Sequence, residues 1–162
     1  MTSHPDSAEF RRAASRFTTG VTVVGAIGAG GQVLGMTANS FVTVSARPPI
    51  VLVSLMRGRT LAAIEATGRY GVSILGSGAL DATRHFAGRP IHGEPPHLAQ
   101  EHGYALLPGA LAHFACEVVR TLAVADHTLA IGEVRWCRCG EGRPLAFFGS
   151  EFRAGPGEPL EA

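Results

Sequence analysis

The chain is 162 residues long, 46% hydrophobic and 17% charged, which fits one compact domain with a buried core and argues against intrinsic disorder. A formal net charge of +1 supplies no positive field to gather a polyanion, so nucleic-acid binding is not expected. All 14 basic residues are arginine, which excludes Schiff-base chemistry, a lysine general base and a Walker A lysine, and leaves anions to arginine, hydroxyl and backbone N–H groups.

Asp6 or Ser7 caps a first helix in which Phe10, Ala13, Ala14 and Phe17 recur at helical spacing, with Gly20 as its expected stop. Val21–Ile27 is β-branched and predicts a strand, turned by Gly28-Ala29-Gly30-Gly31 into a partner beginning near Gln32. These glycines do not form a dinucleotide loop: Val33 stands where the third glycine belongs, and strand-like sequence follows where that fingerprint needs a helix. Phe41–Ser45 alternates apolar and hydroxyl residues, as a half-buried strand does. Ile50–Met56 is a nearly continuous apolar run, expected to be covered on both faces.

Thr60 is placed to cap a short helix ending at Gly68, followed by a strand over Tyr70–Leu75 and a helix over Ala79–Ala87 stopped by Gly88. Arg89–Gly109, with four prolines and three histidines, reads as one long loop of the kind that forms lids. Three strands follow, at about Leu111–Val124, Thr128–Cys139 and Leu145–Phe148, with Cys139–Arg143 as the last turn. Residues 1–153 are expected to form the single domain and 154–162 a disordered glycine- and proline-rich tail. Many strands in succession without crossover helices predict a mainly β fold, a closed or nearly closed barrel plugged by a few short helices.

Cys116, Cys137 and Cys139 are too few for a disulfide scaffold and suit a reducing cytoplasm. The N-terminus has no apolar signal core, and no apolar run reaches membrane-spanning length, so a soluble cytoplasmic protein is expected. Cys137-x-Cys139 lacks a second ligand pair for zinc, and His92, His97 and His102 are expected as solvated loop residues, so no metal site is expected. No G-x-S-x-G elbow supports a serine hydrolase.

The segment GMTANSFVTVSARPP, Gly35–Pro49, resembles the flavin-binding signature of the short-chain flavin reductase family, the reductase components of two-component monooxygenases. Six further strings match the family in the same order: FRRAASRFTTGVTVV from Phe10, VLVSL from Val51, RHFAG from Arg84, LPGALAHFACEV from Leu107, DHTLAIGEV from Asp126 and PLAFFGSEFR from Pro144. The resemblance implies an FMN-binding split β-barrel, Greek-key-like, that reduces FMN or FAD with NADH or NADPH. It also implies a homodimer with the flavin near the subunit boundary, and a transient flavin-accepting monooxygenase as partner.

By position, Thr37, Ala38, Asn39 and Ser40 would meet the isoalloxazine edge, Ser54 and Leu55 would line the ribityl side, and Arg59 and Thr60 match a phosphate-binding turn. Arg84, Phe86 and Ala87 match a second segment closing over the ribityl phosphate, and His127 would stand beside the nicotinamide. Read without the resemblance, Arg59-Thr60 is also a helix cap, Arg84 an exposed helix residue and His127 a barrel histidine. Ala125 stands where the family usually has glycine. Two other functions share the resemblance: a flavoenzyme that keeps its flavin and acts on its own organic substrate, and a non-catalytic flavin-binding protein.

Overall fold

A computed structural model describes residues 4–155. Its elements in chain order are α1 (Ser7–Ala14), β1 (Thr19–Gly20), β2 (Thr22–Ile27), β3 (Val33–Ala38), β4 (Val42–Ala46), β5 (Pro49–Met56), α2 (Arg59–Thr67), β6 (Arg69–Ile74), α3 (Leu80–Phe86), β7 (Ala99–Glu101), β8 (Tyr104–Leu106), β9 (Ala112–Val124), β10 (His127–Cys139), β11 (Leu145–Phe148) and β12 (Glu151–Ala154). Seven strands form one antiparallel sheet in the order β3-β2-β6-β9-β10-β5-β4, which curls so that β3 approaches β5. A three-stranded sheet, β1-β11-β12, and the β7–β8 hairpin complete the β structure.

The sheet encloses Val24, Val51, Val53, Leu55, Tyr70, Val72 and Cys116, with Leu61 and Ile64 of α2 plugging one end. Burial pushes the Cys116 thiol up to about 12, so it behaves as a small core hydrophobe. A second core, Val21, Val23, Leu75, Ala82, Leu98, Ala105 and Leu145, lies on the opposite face of β2. The strand covered on both faces is therefore β2. Strand β5 alternates: Val51, Val53 and Leu55 are buried, while Ile50, Leu52 and Ser54 are half-buried and Met56 is exposed.

The expected loop over Arg89–Gly109 contains the β7–β8 hairpin, which packs on β2 and β6. Gly25 and Gly71 are register partners, and a Cβ on either would run into the Ala105 carbonyl, so the two glycines let the hairpin backbone lie against the sheet. Arg138 pins the hairpin through Glu101 at 3.2 and 3.3 Å, and the His102 ring packs 4.8 Å from Trp136.

Helix ends follow local chemistry. Asp6 accepts hydrogen bonds from the Ala8 and Glu9 N–H groups at 2.9 and 2.7 Å, the expected cap. Helix α1 stops at Ala14, well before Gly20, because Arg16 and Phe17 donate to Ala13 and Ala14 in tight final turns. Its repeating apolar residues stay largely exposed among the described residues: Phe10 is 62% and Phe17 77% exposed. Gly58, not Thr60, is the N-cap of α2, and Gly68 ends that helix in the left-handed region at φ 68°. The final strand β12 extends through Ala154, one residue into the expected tail, whose residues 156–162 lie outside the described part of the chain.

Candidate functional site at the barrel seam

The turn between β3 and β4 lies at the seam of the barrel, and its side chains fasten it there. The Thr37 hydroxyl donates to the Thr83 carbonyl of α3 at 2.7 Å. Ser40 Oγ donates to the Ser54 carbonyl at 2.7 Å and accepts the Ser54 N–H at 3.0 Å, clasping the turn to β5. Thr22 donates to the Ala38 carbonyl at 2.8 Å. The Thr37 and Ser40 hydroxyl protons are thus engaged within the fold. The N–H groups of Asn39, Ser40 and Phe41 have no intrachain acceptor among the described residues, and the Asn39 side chain is exposed. The donors available to a ligand here are mainly backbone.

Two arginines flank the same strand. Helices α2 and α3 both pack on β3, and Arg59 opens α2 while Arg84 lies in the last turn of α3, both exposed. Gly58 gives α2 no side-chain cap, so the first N–H groups of the helix are left for an anion. Thr60 is buried within the first turn, and Leu55 is 0% exposed with its side chain in the core, so Leu55 can meet a ligand only through its backbone. Phe86 is half-buried against β3: a Cβ on Gly35 would come within 2.8 Å of its ring. The Ala87 N–H caps α3 by donating to Thr83 and Arg84 carbonyls.

His127 opens β10 opposite Met56, two residues along from the Leu129–Ser54 pair, so His127, Met56 and Ser54 share the outer face of the sheet. Its Nδ1 lies 2.8 Å from Asp126 Oδ1. Hydrogen bonding from His127 holds the exposed Asp126 carboxyl below its ordinary range, and an ionised carboxylate at that distance favours the tautomer with its proton on Nδ1. Asp126 lay within the Asp-His-Thr string yet had no role assigned from sequence; its adjacency to His127 was the available signal. Ala125 adopts φ 52°, a left-handed conformation that glycine adopts without a Cβ penalty. The backbone shape is kept at the cost of strain.

Around His127 the outer face is apolar. Met56, Leu122 and Val124 are 54%, 45% and 49% exposed, and Val42 and Val44 extend the patch along β4. Beside it a groove of about 910 Å³ has Asn39, Ser40, Phe41 and Val42 on one wall and Phe17, Thr19 and Phe147 on another, a size suited to a cofactor. Thr19 Oγ1, in that wall, is buried without a hydrogen-bond partner among the described residues. No cluster of three or more metal-ligating side chains occurs among the described residues, and no helix there is long and apolar enough to cross a membrane.

Residues 14–156 match the flavin reductase like domain. The chain is 40% identical to an NADH-dependent flavin reductase, StyB, of Pseudomonas fluorescens, over 93% of this chain and 91% of that one. It is 37% identical to the reductase component of 4-hydroxyphenylacetate 3-monooxygenase from Thermus thermophilus, over 89% and 93% of the two chains. The solved styrene monooxygenase flavin reductase of Pseudomonas putida superposes with a TM-score of 0.85 at 42% identity, covering 93% of this chain and 99% of that one. The mainly β architecture is therefore the split barrel of these proteins, and the chain belongs to the flavin reductase-like family.

Proposed function

We propose that this chain reduces FMN or FAD with NADH and releases the reduced flavin to a separate monooxygenase. The observation that carries this reading is the 39–41 turn, whose three N–H groups have no acceptor among the described residues and lie beside an apolar sheet face and His127. The relatives' names support the donor and the hand-over: they include NADH-dependent FAD and FMN reductases and a monooxygenase reductase component.

A flavin fits these residues. When bound, it supplies the redox chemistry by accepting a hydride from NADH, so the protein needs no nucleophile or metal of its own. The Asn39, Ser40 and Phe41 N–H groups would donate to the electronegative edge of the ring, where fixed dipoles favour added charge without reorganising. Ala38 and the Ser54–Leu55 backbone would border the ring and ribityl chain. Arg59, with the open N-terminus of α2, and Arg84, with Phe86 and Ala87, would hold the phosphate. His127, its ring oriented by Asp126, would position the nicotinamide carboxamide through Nε2.

The apolar outer face and the unburied α1 support a two-fold homodimer that covers them and brings the site to the subunit boundary. Unpaired cysteines and dependence on NADH suit a cytoplasmic location.

His127→Ala tests the site. Flavin affinity should remain nearly intact while hydride transfer from NADH falls roughly 10–100-fold, the worth of one positioning contact. Anaerobic rapid mixing with NADH, followed at the flavin absorbance band, isolates this step from release. A wild-type rate in the variant would remove His127 from the site, and a wild-type protein that binds flavin but accepts no hydride would overturn the reductase reading.

A further inference from the structure

Four arginines converge on a second cavity, about 590 Å³, between α1 and the β11–β12 turn: Arg11, Arg12 and Arg16 from one side and Arg153 from the other. The C-cap Ser15 carbonyl accepts the Gly149 N–H at 2.9 Å, which ties the turn to the helix and fixes the cavity's floor. One acidic residue, Glu151, also lines it and pairs with Arg153 at 2.8 Å. Arg11 reaches only the Ser7 hydroxyl, at 3.1 Å, and Arg12 and Arg16 have no side-chain partner among the described residues. With four of the 14 arginines and one of the 13 acidic residues in this cavity, the remainder of the chain is net negative. The positive charge is thus concentrated here.

Helix electrostatics explain part of this. Basic residues in a last turn complement the negative end of the helix, which accounts for Arg11 and Arg12. That reason does not reach Arg16, beyond the helix, or Arg153, on another strand. Four like charges gathered around a single carboxylate, Glu151, still repel, and an anion held between their planar forks relieves the repulsion.

The arginine cavity adjoins the large groove, sharing Arg11, Ser15 and Ser150 with it, and the groove's other residues include Asn39 and Ser40 of the seam turn. A ligand with its redox ring near that turn can therefore run along the apolar groove and end among the arginines. We infer that this cavity is a second phosphate site, which takes the pyrophosphate of NADH. In FAD the pyrophosphate includes the flavin phosphate assigned to Arg59 and Arg84, so the occupant of this cavity is the hydride donor. The inference rests on the flavin reductase reading, and it makes the site distinct from the flavin-phosphate site assigned to Arg59 and Arg84.

The test uses the full-length protein and the double variant Arg12→Gln/Arg16→Gln, whose side chains are exposed and make no contact the fold needs. Calorimetry with ADP as probe should show binding weakened about tenfold, the effect of losing charge-assisted contacts at a solvated site. Wild-type ADP affinity should fall as salt rises, and the variant's should fall less steeply. In steady state the KM for FMN should not change. The KM for NADH should rise with either flavin, and a raised KM for FAD with an unchanged KM for NADH overturns the inference. Equal ADP affinity in both proteins, or an FMN KM raised as much as that of NADH, overturns the inference. A wild-type protein that reduces no flavin would defeat the underlying reading instead, and ADP binding would still decide the site.

Discussion

Ser40→Ala should destabilise the protein before any flavin is added. The Ser40 hydroxyl makes two bonds with the backbone of one residue, donating to the Ser54 carbonyl at 2.7 Å and accepting its N–H at 3.0 Å. A neutral hydrogen bond contributes about 0.5–1.5 kcal/mol net, so the pair is worth about 1–3 kcal/mol. Both residues are half-buried, and water can reach part of the vacated space, which places the expected loss near the lower half, about 1–2 kcal/mol. For a domain of this size that corresponds to a drop of roughly 2–8 °C in Tm. Urea unfolding of flavin-free wild type and variant measures it directly, with flavin affinity as a second readout. Unchanged flavin-free stability with a large loss of flavin affinity would refute the clasp and return the hydroxyl to the ligand.

Other expectations follow from neighbouring features. Removing Arg59 or Arg84 should weaken FMN by about 1.5–3 kcal/mol, discounted toward the lower figure because both are exposed, and riboflavin much less; equal losses in fluorescence titration would move these arginines away from the phosphate. Leu122→Glu places a charge in the apolar outer face, so light scattering at micromolar concentration should report monomer from a chain that still folds, and an unaltered mass would separate that face from assembly. Ala125→Gly should raise stability by up to about 1 kcal/mol, because alanine at φ 52° is strained where glycine is not; lower stability in denaturant would show that the gain in unfolded-chain entropy outweighs the relieved strain.

The barrel was legible because its signals are local. The β-branched run of β2, the glycine turn after it, and the paired long strands β9 and β10 each carry their own pattern. What escaped was set by distant neighbours. The β7–β8 hairpin is short and sits amid prolines, and it is held by Gly25 and Gly71, which lie far away in the chain. Similarly, β5 looks like a strand buried on both sides, yet the second face, with Leu52, Ser54 and Met56, is only partly covered among the described residues. Hydrophobicity states that a face needs covering, not whether the cover belongs to the same molecule.

The site shows the same limit at the scale of single atoms. Its segments were legible as strings, and the fold brings Thr37–Ser40, Ser54 and the α3 segment together around β3. The role of each side chain was not legible, because a hydroxyl reads identically whether it serves a ligand or a carbonyl of its own chain. Here Thr37 and Ser40 donate their hydroxyl protons to Thr83 and Ser54, across sequence separations of 46 and 14 residues, while the N–H groups of residues 39–41 have no acceptor among the described residues. A turn held by its side chains presents its backbone, and backbone donors keep their geometry whichever side chains surround them. This arrangement places donors rigidly without dedicating a residue type to each, so residue identity alone could locate the turn but not say which of its atoms would act.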